Sequence, residues 1–505
     1  MSKVTPRLSE PLAPEIQELV FRPRIERELA LGIEDLCAVN AAHLVMLRDV
    51  GLIDKDDSAS LANALIGLRE AGAEAIECDP AREDGYFNFE AALMRQAGAE
   101  AGGRLHLGRS RNDINATLDR LTARRIALDL AGRCIALRRA LLERARAHAD
   151  TVMPGYTHLQ PAQPITFGFY LAGVAEALAR DTQRLLDACG AIDLCPLGAC
   201  ALAGTSVPIE RERLAALLGF EAVMLHAQDA VTSRDYAHDL AAAMLSLAST
   251  WGRLAQDLYV WGTQEFALIS FPDRIAGTSS IMPQKRNPIA IEYLKASAGE
   301  VLGGVVASFA IVKGGHFSHA GDTGRSALAP LWPALRLAGN ALSVARVVID
   351  AVEPDGDTMA ARAAAGFSTA TDIADCLVRD SGLSFRQAHH VVAELVRAAL
   401  AAGTAPEALS PGDVSRAAEA VLARPVTLSP DQLVRAVDPV QSIAARVSIG
   451  AASPEETRRM IGLALVVLDR DAAELRDRSS AITTSQAGLW QVVATLARPA
   501  AAVAS

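Results

Sequence analysis

The sequence predicts an all-α protein, and three observations carry that expectation. Hydrophobic residues make up 50% of the 505 residues while aromatic ones reach only 4%, and alanine and leucine, both good helix formers, dominate the remainder. Apolar residues recur at helical spacing through several long segments. Glycine and proline gather between those segments, where turns are needed. With a formal net charge of −10, the chain is poorly suited to a nucleic acid or a membrane surface, and an anionic ligand has to be met by local cations.

The elements follow in order. Residues 1–112 read as an N-terminal helical domain, with Leu29, Ile33, Leu36 and Cys37 on one face and the pattern continuing from Ala41 to Leu52; Gly102-Gly103 marks a turn near its end. Residues 113–365 read as a central bundle. Asp113 to Ala149 has almost no Gly or Pro and an apolar stripe through Leu118, Leu121, Ile126, Leu130 and Leu137. Ile165 to Cys189, Asp235 to Ile269, Pro288 to Val312 and Ser326 to Val352 follow. At 1.5 Å per residue such helices run roughly 35–55 Å, and helices apolar over much of their girth need several neighbours. One chain cannot easily cover so many faces, so an oligomer is expected. Residues 366–505 read as a smaller helical domain to about 478, divided by Pro406, Pro411, Pro425 and Pro430, followed after Ser479 by a tail that is polar and then alanine-rich. The last few residues read as frayed.

The seven cysteines are scattered and form neither a C-x-x-C pair nor a Cys/His cluster, so neither a metal nor a disulfide framework is expected. A reduced, cytoplasmic protein without a cofactor fits best. The start, Met1-Ser2-Lys3, lacks the apolar stretch of a signal peptide, and no run reaches membrane-spanning length without charges.

Four segments carry chemistry. Gly277-Thr278-Ser279-Ser280-Ile281-Met282-Pro283-Gln284-Lys285-Arg286-Asn287-Pro288 combines two hydroxyls, a cation and an amide in one loop. Asn287-Pro288 reads as an N-cap followed by proline at the first helical position. Ser279 or Ser280 is a candidate base, and Lys285 a charge for a carboxylate beside a helix N-terminus. Gly108-Arg109-Ser110-Arg111-Asn112-Asp113 precedes the first long helix, where Asn112 or Asp113 can cap and Arg111, with Ser110, can grip a carboxylate. Thr157-His158 sits in a proline-bracketed loop from Gly155 to Pro164. Glu292, one turn into the helix that follows the serine-rich loop, could charge or orient His158.

The serine-rich run resembles the loop that identifies the aspartase/fumarase superfamily, GSSxMPxKxN, with Thr278 where that pattern has its glycine. Gly108–Asp113, Gly155–Pro164, Pro196–Thr205, Asp229–Asp235 and Ala370–Asp375 are similar to the argininosuccinate lyase branch, from about residue 20 to about 465. The resemblance implies a three-domain all-α subunit with a long central bundle. It implies a homotetramer whose active sites draw on three subunits, and elimination of an amine from an N-substituted aspartate to give fumarate. By that alignment Ser279 is the base with Ser280 in reserve. Ser110, Arg111, Asn112, Thr157, Lys285 and Asn287 hold carboxylates, and His158 works with Glu292.

The departures are as informative. Where the branch has a tyrosine and a glutamine that help hold the guanidino end of its substrate, this chain has His319 and Gly324. Asn40 replaces a serine shortly before Ala42-His43, at a position read as substrate-binding, and Leu107 replaces a threonine. The fumarate half reads as kept and the amine half as rebuilt. That favours a lyase for a different N-substituted aspartate, such as ethylenediamine-N,N'-disuccinate, in which His319 could meet a carboxylate on the second succinyl arm. True argininosuccinate cleavage and an inactive crystallin-like structural homologue are the alternatives.

Overall fold

In the computed structural model, which describes residues 10–497, 71% of the chain is helical. The readings made on Met1-Ser2-Lys3 and on the final residues lie outside the described part. Helix α1 spans Arg22–Asp49, α2 Lys55–Ala71 and α3 Gly85–Ala97. Asp54 and Asp84 cap α2 and α3 through their carboxylates. Helix α1 bends at Gly32, which separates an N-terminal stretch bearing Glu28 from the buried run Leu36–Leu47. These helices share a core of Leu36, Leu44, Leu65, Phe89 and their neighbours.

Five long helices make the centre: α4 Arg111–Ala147, α5 Phe167–Ile192, α6 Asp235–Trp261, α7 Ile289–Val312 and α8 Leu331–Ala351. Each packs on the next and α8 returns to α4, closing a ring around Leu137, Leu185, Met244, Trp251 and Leu335. The expected spans for α6 and α8 run too long. Ile269 is instead in a short strand pairing with Pro354, because the chain turns at Gly262 before reaching it.

Helix α7 is the odd member. Its buried residues form one narrow stripe, Ile291, Leu294, Ser297, Val301, Val305 and Ser308. Leu302, Val306 and Phe309 on its other faces are 49%, 56% and 42% exposed. Pro14–Asp49 and Ile289–Val312 are each long and apolar enough to cross a membrane by length and composition, but each has one side packed in a core.

Between α4 and α5 the chain forms a hairpin, β1 Val152–Thr157 and β2 Gln160–Thr166. A third core holds the helices α9 Ala370–Ser381, α10 Phe385–Ala402 and α11 Pro411–Leu422. The chain then returns in one 43-residue helix, α12 Pro454–Leu496. Ile461 and Leu468 join the central core, while Leu489 and Val493 join the N-terminal one. The segment after Ser479, read from sequence as a polar tail, is therefore structural as far as Leu496.

Candidate active site

The serine-rich loop is a short hairpin stem with a turn at its tip. Gly277 pairs with Asn287 and Thr278 with Arg286, and the Asn287 amide donates to Thr278 O at 3.1 Å. Asn287 therefore closes the loop and does not cap α7. The helix begins at Ile289 with Pro288 before it, and no side chain caps it. The sequence reading of Asn287 as N-cap is corrected on this point. Its stem pairing is worth more to a loop otherwise short of bonds.

At the tip, the backbone N–H groups of Ile281 and Met282 donate to Ser279 Oγ at 3.4 and 3.0 Å. Two N–H dipoles aimed at one hydroxyl oxygen favour its ionised form. Ser279 is half-buried, whereas Ser280 and Lys285 are exposed. Arg286 pairs with Asp273 at 3.0 Å. Lys285 makes no ion pair within 4.0 Å among the described residues, and lines an open cleft with Met282, Asn287, Glu353, Asp355 and Asp357.

The start of α4 is far more tightly determined. Ser110, not Asn112 or Asp113, is the N-cap, and it forms a reciprocal capping box with Asp113. The same Asp113 carboxylate accepts from Gly198 N–H at 2.9 Å and Cys200 N–H at 3.0 Å, so it ties the 196–204 loop to the helix. Asn112 donates to Ala201 O at 2.9 Å. Arg111 lies 4.0 Å over the Phe87 ring and pairs with Glu83 and Asp84 at 3.2 and 3.0 Å. A substrate carboxylate at Arg111 thus has to share the guanidinium with two acids.

Asn40 is buried, donating to Leu36 O and accepting from Arg109 Nη2 at 2.5 Å. Direct contact with a substrate, the sequence reading, is not open to a side chain so enclosed. What Asn40 does is hold Arg109 beneath the Ser110 turn.

His158 and Leu159 both adopt left-handed backbone angles, φ 55° and 57°. They form the two-residue tip of the β1–β2 hairpin, so the proline-bracketed loop of the sequence reading is a hairpin. Its prolines disguise it, since proline suits only edge strands; here both strands are edges. Thr157 and His158 are exposed, as is Glu292 in the first turn of α7. Among the described residues no hydrogen bond or ion pair joins His158, Glu292, Ser279, Lys285 or Arg111 to one another. One subunit does not assemble them.

His319 occupies the stretch between α7 and α8. Burial lowers its pKa, reinforced by Arg234, Arg24, Arg111 and Arg325 around it. Of these only Arg111 belonged to the sequence reading of the site; Arg24, Arg234 and Arg325, with Glu28 and Asp119, escaped it. One signal pointed to Arg234: it stands at the N-cap of α6, where a cation opposes the helix dipole and a guanidinium cannot accept the capping bond. Among the described residues no cluster of His, Cys, Asp or Glu is arranged to hold a metal ion.

A family model described as lyase matches residues 37–303, and one described as argininosuccinate lyase C-terminal matches residues 367–444. Argininosuccinate lyase 1 of Shouchella clausii is 36% identical over 95% of this chain and 96% of its own. Argininosuccinate lyase of Methanosarcina acetivorans is 34% identical over 98% and 99%. Among solved structures, a variant of EDDS lyase with bound fumarate superposes with a TM-score of 0.87 at 31% identity, covering 97% of both chains. The chain is a carbon–nitrogen lyase that belongs to the argininosuccinate lyase branch of the aspartase/fumarase superfamily.

Proposed function

We propose that this lyase reversibly eliminates an amine from an N-substituted L-aspartate, releasing fumarate. The observation that carries the reading is the Ser279 hydroxyl, which accepts two backbone N–H bonds in a loop that also bears the unpaired Lys285. A proton beside a carboxylate and beta to an amine is very weakly acidic, so its removal needs a strong base and stabilisation of the resulting aci-carboxylate. Ser279, as alkoxide, takes the proton. Lys285, Asn287, Ser110, Arg111, Asn112 and Thr157 meet the two carboxylates. The C–N bond then breaks with its electron pair going to nitrogen, which entered protonated as an ammonium because it is basic and so leaves as the neutral amine, while the Ser279 hydroxyl returns the abstracted proton to solvent. His158 with Glu292 steadies one carboxylate or relays the proton, while Ser280 is the reserve base.

The site requires several subunits. The exposed apolar faces of α7 support a homotetramer in which exposed His158 and Glu292 come from neighbouring copies. In this reading residues 1–112, 113–365 and 366–505 are the three domains, with α12 closing back on the first two. The protein works in the cytoplasm on a small dicarboxylate, with no cofactor, nucleic acid or membrane.

The amine is not arginine in this reading. His319 and Gly324 cannot supply the phenol and carboxamide that the branch uses on a guanidino group, and a buried guanidinium without acceptors costs several kcal/mol. An aminocarboxylic acid such as ethylenediamine-N,N'-disuccinate is favoured, in line with the EDDS lyase likeness. The names of the sequence relatives favour argininosuccinate instead. Steady-state kinetics on both substrates decides: argininosuccinate is expected to be slower by more than about a hundredfold in kcat/KM, the equivalent of roughly 3 kcal/mol. Efficient turnover of argininosuccinate with the other substrate inert would overturn the choice.

A further inference from the structure

The stretch from Pro196 to Thr205 runs between the two-residue strand Leu194–Cys195 and a short helix, Arg211–Leu217, with no regular structure of its own. Pro196 to Ala199 are buried, whereas Ala201, Leu202 and Ala203 are exposed. Two charged side chains grip the buried base of this loop from opposite sides of its backbone. The Asp113 carboxylate accepts from the N–H groups of Gly198 and Cys200 at 2.9 and 3.0 Å. Arg211 takes the carbonyls: its Nε donates to Leu197 O at 3.1 Å and its Nη2 to Pro196 O at 3.4 Å. Both hydrogen bonds of the guanidinium among the described residues thus go to this one segment. Bonds with one ionised partner are stronger than neutral ones, and a planar fork fixes geometry as well as energy.

The fit is close. Gly198 has φ 84°, and a methyl group on it would stand 2.8 Å from Arg211 Cγ and 2.9 Å from Ile209 Cδ1. Cys200, with φ 58°, holds a left-handed angle that a residue with a side chain keeps only where its surroundings impose it. The next residue is the one that matters for the site: Ala201 O accepts from Asn112 Nδ2 at 2.9 Å. A backbone carbonyl only accepts, so Asn112 has to face it with nitrogen. The flipped amide would set two oxygens against each other and leave a ligand the carbonyl instead of the second N–H. Ala201 O therefore decides which end of Asn112 a ligand meets, while Arg211 and Asp113 decide where Ala201 O lies.

We propose that Arg211 is a positioning residue for the elimination: it holds the 196–204 loop where Ala201 O turns the N–H end of Asn112 toward a substrate carboxylate. The proposal rests on the reading of Asn112 as a carboxylate ligand. Arg211 acts through the loop and touches no substrate itself. Asp113 shares the task but also caps α4, so Arg211 is the jaw of the clamp that can be changed without breaking the helix start.

The test is calorimetry of fumarate binding to the full-length enzyme, with a melting curve for every variant. Asn112→Ala is expected to weaken fumarate by about tenfold, the value of one hydrogen bond to a charged group. Arg211→Met keeps the stem of the side chain and removes the donors, and should weaken fumarate by at least about fivefold. Arg211→Lys offers one donor to the same carbonyls and should recover most of that loss. In the Asn112→Ala background Arg211→Met should change the affinity by less than about twofold, because the group it positions is gone. A loss of equal size in both backgrounds, no loss in Arg211→Met, or no recovery in Arg211→Lys overturns the positioning and leaves the lyase reading standing. Should Arg211→Met fail to fold, Gly198→Ala takes its place in the same cycle: its methyl group displaces the Arg211 stem while every charge stays. Unchanged affinity in Asn112→Ala removes the carboxylate role of Asn112, and the role of Arg211 falls with it. Failure of the wild type to bind fumarate overturns the lyase reading too.

Discussion

The serine-rich loop and the start of α4 both present groups for a carboxylate, but they are built in opposite ways. At α4 nearly every polar atom is already committed: Ser110 and Asp113 cap each other, Asp113 also holds Gly198 and Cys200, and Arg111 is shared between Glu83 and Asp84. In the loop Ser280, Ile281, Met282 and Lys285 face solvent, and a two-rung stem, the Asn287 amide, the Arg286–Asp273 pair, one turn bond from Lys285 N–H to Met282 O and the Ser279 hydroxyl give it shape. The contrast separates two jobs. A rigid, over-determined helix end fixes where one end of the substrate lies. A sparsely bonded loop carries the base, and is free to take up contacts that arrive with the substrate and neighbouring subunits.

If that division holds, substitutions in the two regions should fail differently. Ser279→Ala is expected to lower the elimination rate by several orders of magnitude, because it removes the group that takes the proton. Melting temperature and oligomeric state should stay at wild-type values, since the side chain supports only its own turn. Activity within tenfold of wild type would transfer the role to Ser280, which Ser280→Ala would then test.

Asp113→Ala should do the reverse and strike the fold first. It breaks the capping box and strands the Gly198 and Cys200 N–H groups, a combined loss of about 2–4 kcal/mol. A melting temperature equal to wild type would show that the helix start is not the rigid partner in the comparison.

Lys285→Ala and Arg111→Ala should each weaken succinate binding by roughly tenfold, the value of one charge-assisted contact. Calorimetry can separate them further. Among the described residues Lys285 has no ion-pair partner to release, whereas Arg111 has two, so Arg111→Ala should also lower thermal stability by leaving the buried Asp84 without its partner. Unchanged succinate affinity in both variants would remove the carboxylate role from both regions.

The smallest effect concerns the acids behind the pocket. Burial opposes ionisation of Glu28, but Arg325 and Arg24 overcome it and hold its carboxyl at about 2. The folded value therefore lies below the unfolded one of about 4.3. Glu28 contributes stability that is present above pH ~4.3 and is lost as pH falls toward ~2. Glu28→Gln should flatten the acid limb of a stability-versus-pH curve over that interval. An unchanged limb would mean that other carboxylates dominate acid unfolding.

The sequence by itself determined the helical class, the long central helices and the motif segments. These depend on residue type and spacing along the chain: alanine and leucine at a period near 3.6, punctuated by glycine and proline, place α4, α5 and α7 within a few residues of their observed ends, while the expected α6 overruns its end at Trp261 and the expected α8 starts ahead of Leu331. It also marked His319 and Gly324, with Thr278, Asn40 and Leu107, as departures from the pattern of the branch. Only the tertiary structure decided which polar group meets which. Asn40 was legible as an exchanged residue but not as the buried support of Arg109, a contact spanning 69 positions. Arg234 looked like one more charge in a motif until folding set it beside Gly324 and His319. The hairpin under His158 was hidden by prolines that forbid central strands but not a pair of edges. The end of helix α12 beyond Ser479 was hidden because its polar, moderately apolar sequence matches a solvated tail as well as it matches a helix with one narrow seam against a core. Local periodicity reports the face a segment must bury; whether a carboxylate, a carbonyl or empty space stands opposite depends on residues far away along the chain, and only folding brings them together.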